Sequence, residues 1–466
     1  MTGAAFFDLD RTLLSGGTGP HLSQAMYDLG VVNRKLPGEK YIYGMFDLIG
    51  ETLPSMFLAR QATRVAKGRP ANAFGPAAAQ AAEKIADVVH PFAKQLIDQH
   101  KAAGRPVVMA TTTPLHLIEP LAHKLGFDDV IATNYAVDDD GNFDGAIDGP
   151  FVWSLGKLGA VKAWAQQHDV DLEDSYAYSD SIYDTPLLSA VGHPNAVNPD
   201  AQLVAYAIAK RWPIVHFDVN PGVVKLPILG WELQDVAKQF FRPELIRYAK
   251  FDVDGVDNIP KTGPVILVGN HRSYFDVAAV AQIIRQSGRP LRMLGKKEVF
   301  DVPVVGGLGA ALGGIRVDRE SDGRSSYEEA TRALAAGEMV GLLPQGTIPR
   351  GPAFFDPMLK GKTGAARLAA ESGAPVIPFG LWGTEKVWPR SATLPNMTTL
   401  LNPPTIRVRV GPPVDLKLRS ASADTKRIMA AISDLLPPEG REPHEPTEAE
   451  LRSTYPGGRL PGESKD

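Results

Sequence analysis

The sequence predicts an α/β protein of two successive domains, and three observations carry that prediction. Its 466 residues exceed what one core organises, since a domain takes about 100 to 200. Short apolar runs alternate with helical stretches, first between Ala4 and Ser179 and again between Val265 and Val410. The stretch between the two series, Pro221 to Lys250, continues neither and is broken by Pro227 and Pro243. With 44% hydrophobic and 22% charged residues, the chain has enough apolar surface to offset its entropy on folding.

In the first series, Ala4–Leu9, Val107–Ala110, Val130–Ala132 and Tyr176–Ser179 read as strands, with helices such as Lys157–His168 between them. That order predicts a doubly wound, Rossmann-like and mostly parallel sheet. Between residues 14 and 99 there is no strand pattern. Apolar residues instead recur at helical spacing over Thr52–Ala66 and Gln80–Val89, the mark of an all-helical cap inserted over the sheet edge. Asp138-Asp139-Asp140-Gly141-Asn142 reads as a hairpin turn, because Asp and Gly tolerate positive φ. The second α/β series runs through Val265–Val268, Met339–Leu343, Val376–Phe379 and Ile406–Val410. From Pro437 the chain is rich in Pro, Gly and Glu and poor in aliphatics, the composition of a disordered tail. The expected division is residues 1–216 with a cap over about 14–99, a junction over 217–250, a second domain over 251–436 and a tail over 437–466.

There is no cysteine, which excludes disulfides, thiolate catalysis and cysteine-ligated zinc. The longest uncharged apolar stretch, Val302 to Ile315, is too short and too rich in glycine to cross a bilayer, which takes about 20 residues. Met1 to Phe7 has no basic segment ahead of an apolar run, so the expectation is a cytoplasmic protein. Charge is uneven along the chain. Residues 1–219 hold 17 Lys and Arg against 25 Asp and Glu, whereas residues 220–420 hold 26 against 19. A basic second half suits anionic substrates or an anionic membrane surface. Nucleic acid is not expected, because basic residues are nowhere clustered and interleaved with aromatics.

Phe6-Phe7-Asp8-Leu9-Asp10-Arg11-Thr12 sets two carboxylates two residues apart where a strand enters a loop. In extended backbone, positions i and i+2 face the same way, so both acids enter one pocket and repel unless a cation or proton intervenes. A hard divalent ion with oxygen ligands answers that need. Three further elements follow: Val107 to Thr111 ends a buried strand on a hydroxyl, Lys157 opens a helix, and Asp180-Ser181-Ile182-Tyr183-Asp184 closes a strand with two acids. The set resembles the haloacid dehalogenase superfamily of aspartyl-phosphatases, in its phosphoserine-phosphatase-like branch, over roughly residues 4–216.

The resemblance implies that Asp8 is the phosphoryl-accepting nucleophile and Asp10 the acid/base. It assigns Mg2+ to Asp8, the Asp10 backbone and Asp180, with Asp184 in support, and the phosphoryl oxygens to Thr111 and Lys157. One segment departs from that branch: Leu14 to Gly30 offers Ser15, Gly16, Gly17 and His21 where an acidic pair holding an amino-acid ammonium is expected, which argues against serine phosphate. Tyr41, Tyr43, Met45, Phe46, Met56 and Phe57 are read either as an apolar cap pocket for a lipid-like substrate or as ordinary helix core.

In the second series, the strand Val265–Val268 leads into Gly269-Asn270-His271-Arg272-Ser273-Tyr274-Phe275-Asp276. On a continuous helix His271 and Asp276 would point about 140° apart, so the histidine must sit on the loop before the helix if the two are to touch. A carboxylate on one ring nitrogen then fixes the tautomer and leaves the other nitrogen as a general base. With Gly313 to Arg319, Leu343-Pro344-Gln345-Gly346-Thr347 and Val376 to Phe379, the set resembles the four blocks of the PlsC-like glycerolipid acyltransferases, over roughly residues 245–415.

By that resemblance His271 deprotonates an acceptor hydroxyl that attacks an acyl-CoA or acyl-carrier-protein thioester, and Asp276 orients His271. Arg319 and the Gln345-Gly346-Thr347 loop bind the glycerol-phosphate end. The family's third block carries Glu before Gly-Thr and Arg after it, whereas this chain has Gln345 and Ile348 there. Arg350, Lys360 and Lys362 are near enough in sequence either to restore the charge or to be solvated loop residues.

The implied function is bifunctional: acylation of lysophosphatidic acid to phosphatidic acid, and Mg-dependent hydrolysis of a phosphomonoester, with lysophosphatidic or phosphatidic acid as candidates. A small-molecule phosphatase fused to a weakly active lipid-binding module is the competing reading. The expected site of work is the inner face of the cell membrane, with Trp231, Phe240, Phe241, Leu245 and Ile246 of the junction either in contact with lipid or packed between domains.

Overall fold

The computed structural model describes residues 3–32, 39, 41, 43–44, 51–221, 223–226, 230–301, 309–317 and 324–463. The chain divides into two compact units, the first reaching Pro221 and the second running from Gly230 onward.

The first unit is built on a seven-stranded sheet of β1 (Ala5–Phe7), β2 (Val107–Pro114), β3 (Asp129–Val137), β4 (Phe143–Asp148), β5 (Tyr176–Ser179), β6 (His193–Val197) and β7 (Ile214–Val215). Their order is β4-β3-β2-β1-β5-β6-β7, and every pair is parallel except β3–β4. The central strands are apolar throughout because helices cover both faces. Phe7, Met109 and Tyr178 face one layer, and Phe6, Val108 and Ala177 face the other. After β1 the chain winds to one side through β2 and β3, then returns past β1 to β5. The crevice between β1 and β5, at their carboxyl ends, is therefore the topological switch point where α/β sheets hold ligands.

The helical cap is present as Gly19–Asp28, Leu53–Ala66 and Gly75–Ala86. A bridge between Leu14 and Val89 marks where the chain leaves the sheet layer and where it returns. The helix Pro91–Ala102 consequently belongs beneath the sheet, with Ala93 and Ile97 in its core, and the insertion is shorter than residues 14–99. The Asp138–Asn142 turn joins β3 to β4. Gly141 takes a φ of 81° and the Asp138 carboxylate accepts the N–H groups of Asp140 and Asn142.

The second unit has seven strands: β8 (Lys250–Asp254), β9 (Val265–Gly269), β10 (Leu291–Lys296), β11 (Ile315–Val317), β12 (Met339–Leu342), β13 (Val376–Trp382) and β14 (Thr405–Val410). Their order is β11-β10-β12-β9-β13-β14-β8, with β13–β14 antiparallel and the other pairs parallel. The wholly buried β9 lies at the centre, flanked by β12 and β13.

Two expectations need correcting. The stretch 217–250 is not a separate junction: Phe217 packs in the first core, while Ile246 and Ala249 belong to the second. Of the proposed membrane-facing residues, Ile246 is buried and Phe241 packs against that core, so only Trp231, Phe240 and Leu245 are exposed. Residues 438–463 are also ordered against the second unit rather than extended as a tail. Thr447 and Glu450 form a capping box, and Thr454, 2% exposed, accepts the N–H of Gly351. Side-chain hydrogen bonds and caps order this segment despite its few aliphatics. No described helix is long and apolar enough to cross a membrane.

Candidate active sites

Asp8 follows β1 directly, its N–H donating to the Tyr178 carbonyl, so the sheet ladder fixes the backbone of the first acid. Arg11 then takes a φ of 60°, in a turn that brings the Thr12 hydroxyl between two carboxylates, 3.0 Å from Asp8 Oδ2 and 3.3 Å from Asp180 Oδ1. The fully buried Lys157 donates to Asp8 Oδ1 at 2.8 Å and to Asp184 Oδ2 at 2.6 Å. Asp184 Oδ2 also accepts from Ser179. Asp10 is held by the Thr18 N–H at 2.5 Å and the Thr113 hydroxyl at 3.0 Å. Thr111 is buried at the same sheet edge, and because its oxygen accepts the Thr113 N–H, its own hydroxyl proton remains to donate. All six residues expected from the sequence thus gather at the switch point.

The electrostatics follow from burial. Desolvation raises the Asp8 carboxyl to about 6, opposed by Lys157 and reinforced by Asp184. Burial raises Asp10 as well, against the hydrogen bonds from Thr18 and Thr113. Asp180 is pushed well above the usual carboxylate range, first by burial and then by Asp8, with Arg11 opposing from 3.4 Å. For Lys157 burial acts downward, but Asp184 and Asp8 outweigh it and hold the ammonium charged.

A fifth carboxylate, Glu51, joins this set from the cap, where nothing in the sequence marks it as different from other surface acids. Its Oε2 accepts from Trp153 Nε1 at 2.9 Å and from Ser181 Oγ at 3.1 Å, and burial raises its carboxyl to about 8. Among the described residues five acids therefore face two cations, Lys157 and Arg11, and Asp184 Oδ1 is buried with no hydrogen-bond partner. Among the described residues no three such groups already converge at ligand spacing. In charge and in all-oxygen donor type, the acids nevertheless fit a hard divalent cation.

Of the cap residues read as pocket or helix core, Tyr43 is half-buried. Tyr41 and Phe57 are exposed, Met56 is buried, and Met45 and Phe46 lie outside the described residues. A cavity of about 610 Å³ lies at the opposite sheet edge, where β5 and β6 begin. It is lined by Tyr176, His193, Lys210 and Trp212 among others and holds none of the acids.

In the second unit His271 sits on the loop after β9, as the spacing requires, and Asp276 is the first residue of the helix Asp276–Ser287. Asp276 Oδ2 accepts from His271 Nδ1 at 2.7 Å and from the N–H groups of Arg272 and Ser273 at 2.8 and 3.1 Å. Its Oδ1 accepts from the Thr384 hydroxyl at 2.6 Å. With Nδ1 bound to the carboxylate, Nε2 is the ring nitrogen left for chemistry, and the side chain is 23% exposed. Asn270 exchanges two hydrogen bonds with the backbone of Leu381, tying the end of β9 to β13.

Gln345 Oε1 accepts the His271 N–H at 2.7 Å, so the amide performs a task open to a carboxylate, holding the His271 turn. Gly346 takes a φ of 70° and Thr347 is half-buried beside it. Arg319 lies outside the described residues. Arg272 forms a two-bond pair with Glu385 at 3.0 and 3.1 Å, between the rings of Phe354 and Trp382 at 4.3 and 4.0 Å. Thr384 and Glu385 carry no signal in the sequence, because they meet the His271 turn only through the pairing of β9 with β13, and the same pairing gives Arg272 its partner.

Residues 5–189 match the family model of haloacid dehalogenase-like hydrolases, and residues 250–382 match that of acyltransferases. The protein "Inhibition of morphological differentiation protein" of Streptomyces azureus is 35% identical over 53% of this chain and 87% of its own length. A phosphoserine phosphatase of Mycobacterium tuberculosis is 32% identical over 49% of this chain and 75% of its own. A chloroplastic 1-acyl-sn-glycerol-3-phosphate acyltransferase of Brassica napus is 27% identical over 38% of this chain and 49% of its own.

Proposed function

The chain belongs to the haloacid dehalogenase-like hydrolases and carries an acyltransferase domain behind that unit, and from this premise we propose that it is a bifunctional enzyme of phospholipid synthesis. The second unit transfers an acyl group from acyl-CoA or acyl-carrier protein to lysophosphatidic acid, giving phosphatidic acid. The first hydrolyses a phosphomonoester with Mg2+, lysophosphatidic or phosphatidic acid being the substrates in view.

The observation that carries the acyltransferase reading is the Asp276–His271 pair at 2.7 Å. His271 Nε2 takes the proton of the acceptor hydroxyl as that oxygen attacks the thioester carbon. The new ester bond forms, the C–S bond breaks, and the proton passes to the departing thiolate.

For the phosphatase, an Asp8 oxygen attacks phosphorus while the ester oxygen leaves with a proton from Asp10. Asp10 then takes a proton from the water that releases phosphate and restores Asp8. Thr111 and Lys157 hold phosphoryl oxygens during both steps. Asp8, the Asp10 backbone and Asp180, with Asp184 behind them, would hold magnesium, which would supply positive charge for the transferring group.

Substrates of this kind reside in membranes, and we read the second unit as working peripherally on an anionic surface at the inner face of the cell membrane, with no nucleic-acid partner. Supporting this are the exposed Phe240 and Leu245 and the exposed Leu394, Met397, Leu400 and Leu401, on a loop held to the Tyr248 carbonyl by Thr399.

The two chemistries are separable by mutation. Asp8→Asn abolishes phosphatase turnover and leaves acyl transfer, and EDTA copies it. His271→Ala does the reverse, at a cost of about 100- to 10,000-fold. Full acyl transfer by folded His271→Ala overturns the second assignment. Failure of the wild type to acylate lysophosphatidic acid favours the competing reading, a soluble phosphatase fused to a lipid-binding module.

A further inference from the structure

The cavity of about 610 Å³ in the first unit lies where β5 and β6 begin, at the sheet edge opposite the Asp8 site. Sheets of this kind carry their catalytic residues at the carboxyl ends of the strands, where Asp8 follows β1 and Asp180 follows β5. The cavity therefore serves a different purpose. Its volume is within the range of small-molecule sites, roughly 300 to 1,000 Å³. The start of β5, the start of β6 and the turn between the helix Ala201–Lys210 and β7 all contribute to its lining.

Two aromatic pairs contribute rings to it. Tyr176 stacks on the His193 imidazole with centroids 4.3 Å apart and planes at 17°, and Arg105 is 4.9 Å from the centre of the tyrosine ring. Trp212 packs on Tyr206 at 5.2 Å, with Lys210 Nζ 5.8 Å from the Tyr206 ring centre. The charge of the lining is of one sign. Lys210 and Arg211 are exposed, neither pairs with a carboxylate among the described residues, and no Asp or Glu lines the cavity. Arg211 takes a φ of 57°, in the left-handed region that glycine favours after a helix, so a cation holds a position where a smaller residue would relax the backbone. Asn195 lines the same cavity, its Nδ2 donating to the His193 carbonyl and its Oδ1 left to accept.

We propose that this cavity binds a nucleotide, with the base against the rings of His193 and Trp212 and the phosphates on Lys210 and Arg211. Stacking satisfies the rings, since every base has a π-face, and the guanidinium and ammonium pair with phosphate oxygens. A simple anion uses the cations and leaves the rings idle. An apolar molecule does the opposite. A nucleotide uses both, and the Asn195 amide adds a polar contact for the edge of the base. The site stands apart from the Asp8 chemistry and does not depend on it.

The test separates the two halves of the ligand. Full-length protein is titrated by calorimetry with ATP, with adenosine and with tripolyphosphate, in EDTA so that the Asp8 site holds no magnesium. Wild-type protein should bind ATP at least roughly tenfold more tightly than either half. Lys210→Gln and Arg211→Gly should each weaken ATP by roughly 10- to 100-fold, the range for a hydrogen bond to a charged group. His193→Ala should weaken ATP and adenosine alike, by about fivefold or more, and leave tripolyphosphate unchanged. Phosphatase turnover and thermal melts check folding, and Arg211→Gly, which relaxes the left-handed backbone, keeps the test open should another variant fail to fold. ATP binding unchanged in all three variants would put the nucleotide elsewhere, and tripolyphosphate bound as tightly as ATP would reduce the cavity to a charged patch. Either result, or a wild type that binds no ATP, overturns the inference.

Discussion

Replacing Asp276 by Asn isolates what its charge contributes to the second site. The carboxylate accepts four hydrogen bonds, three on Oδ2 from His271 Nδ1, Arg272 N–H and Ser273 N–H, and one on Oδ1 from Thr384. An asparagine of the same shape can keep its oxygen toward the three N–H donors and turn its NH2 toward Thr384, whose hydroxyl reverses to accept. Fold and histidine tautomer therefore survive, and only the negative charge is lost. That charge matters most when His271 becomes an imidazolium in the transition state. A hydrogen bond to a charged group is worth about 1.5–3 kcal/mol against about 1 for a neutral one. Losing that charge next to a newly formed cation in a site this buried costs about 2–3 kcal/mol. At 1.36 kcal/mol per tenfold, kcat should fall roughly 30- to 150-fold, with little change in KM because the Asp276 carboxylate is buried and spent on His271, its own turn and Thr384. Thiol release during acyl transfer to lysophosphatidic acid measures this, and a melt of the variant checks folding. Wild-type kcat in a folded Asp276→Asn protein would refute the idea that the carboxylate supports a general base.

Two further outcomes are expected. Burial, with Arg105 nearby, lowers His100 to about 4, and burial alone lowers His116 to about 4. Each folded pKa lies below the unfolded value of about 6.5, so this stability is full above pH 6.5 and is lost as pH falls toward 4. For His100 alone, 2% exposed, the loss is on the order of 3 kcal/mol. Urea unfolding between pH 7 and 4.5 should show it, with a shallower slope in His100→Leu; an identical slope would count against the assignment. At the membrane, Phe240→Asp with Leu401→Asp, both exposed and outside the core, should weaken cosedimentation with anionic vesicles by more than about tenfold, since each large apolar side chain contributes roughly 1.5–3 kcal/mol when buried. Soluble phosphatase activity should be unchanged, and undiminished vesicle binding would exclude this surface.

The sequence alone determined the two α/β series, the central strands β1, β2, β5, β9, β12 and β13, and the residues that end them. A strand buried on both faces must be a continuous apolar run, and a polar residue at its carboxyl end stands out against it. This is how Asp8, Thr111, Asp180 and His271 become legible. The edge strands β4, β7, β8 and β11 escaped because they are short or half-polar, and β10 begins with a charged pattern that its ion pairs, not its periodicity, explain. Only the tertiary structure brought Glu51 to Ser181, Thr384 to Asp276 and Arg390 to Ile348, across separations of 130, 108 and 42 residues. At those distances along the chain no local spacing encodes a contact. The partners are chosen by which strands pair, and strand order is settled by burial of the whole sheet rather than by any one segment.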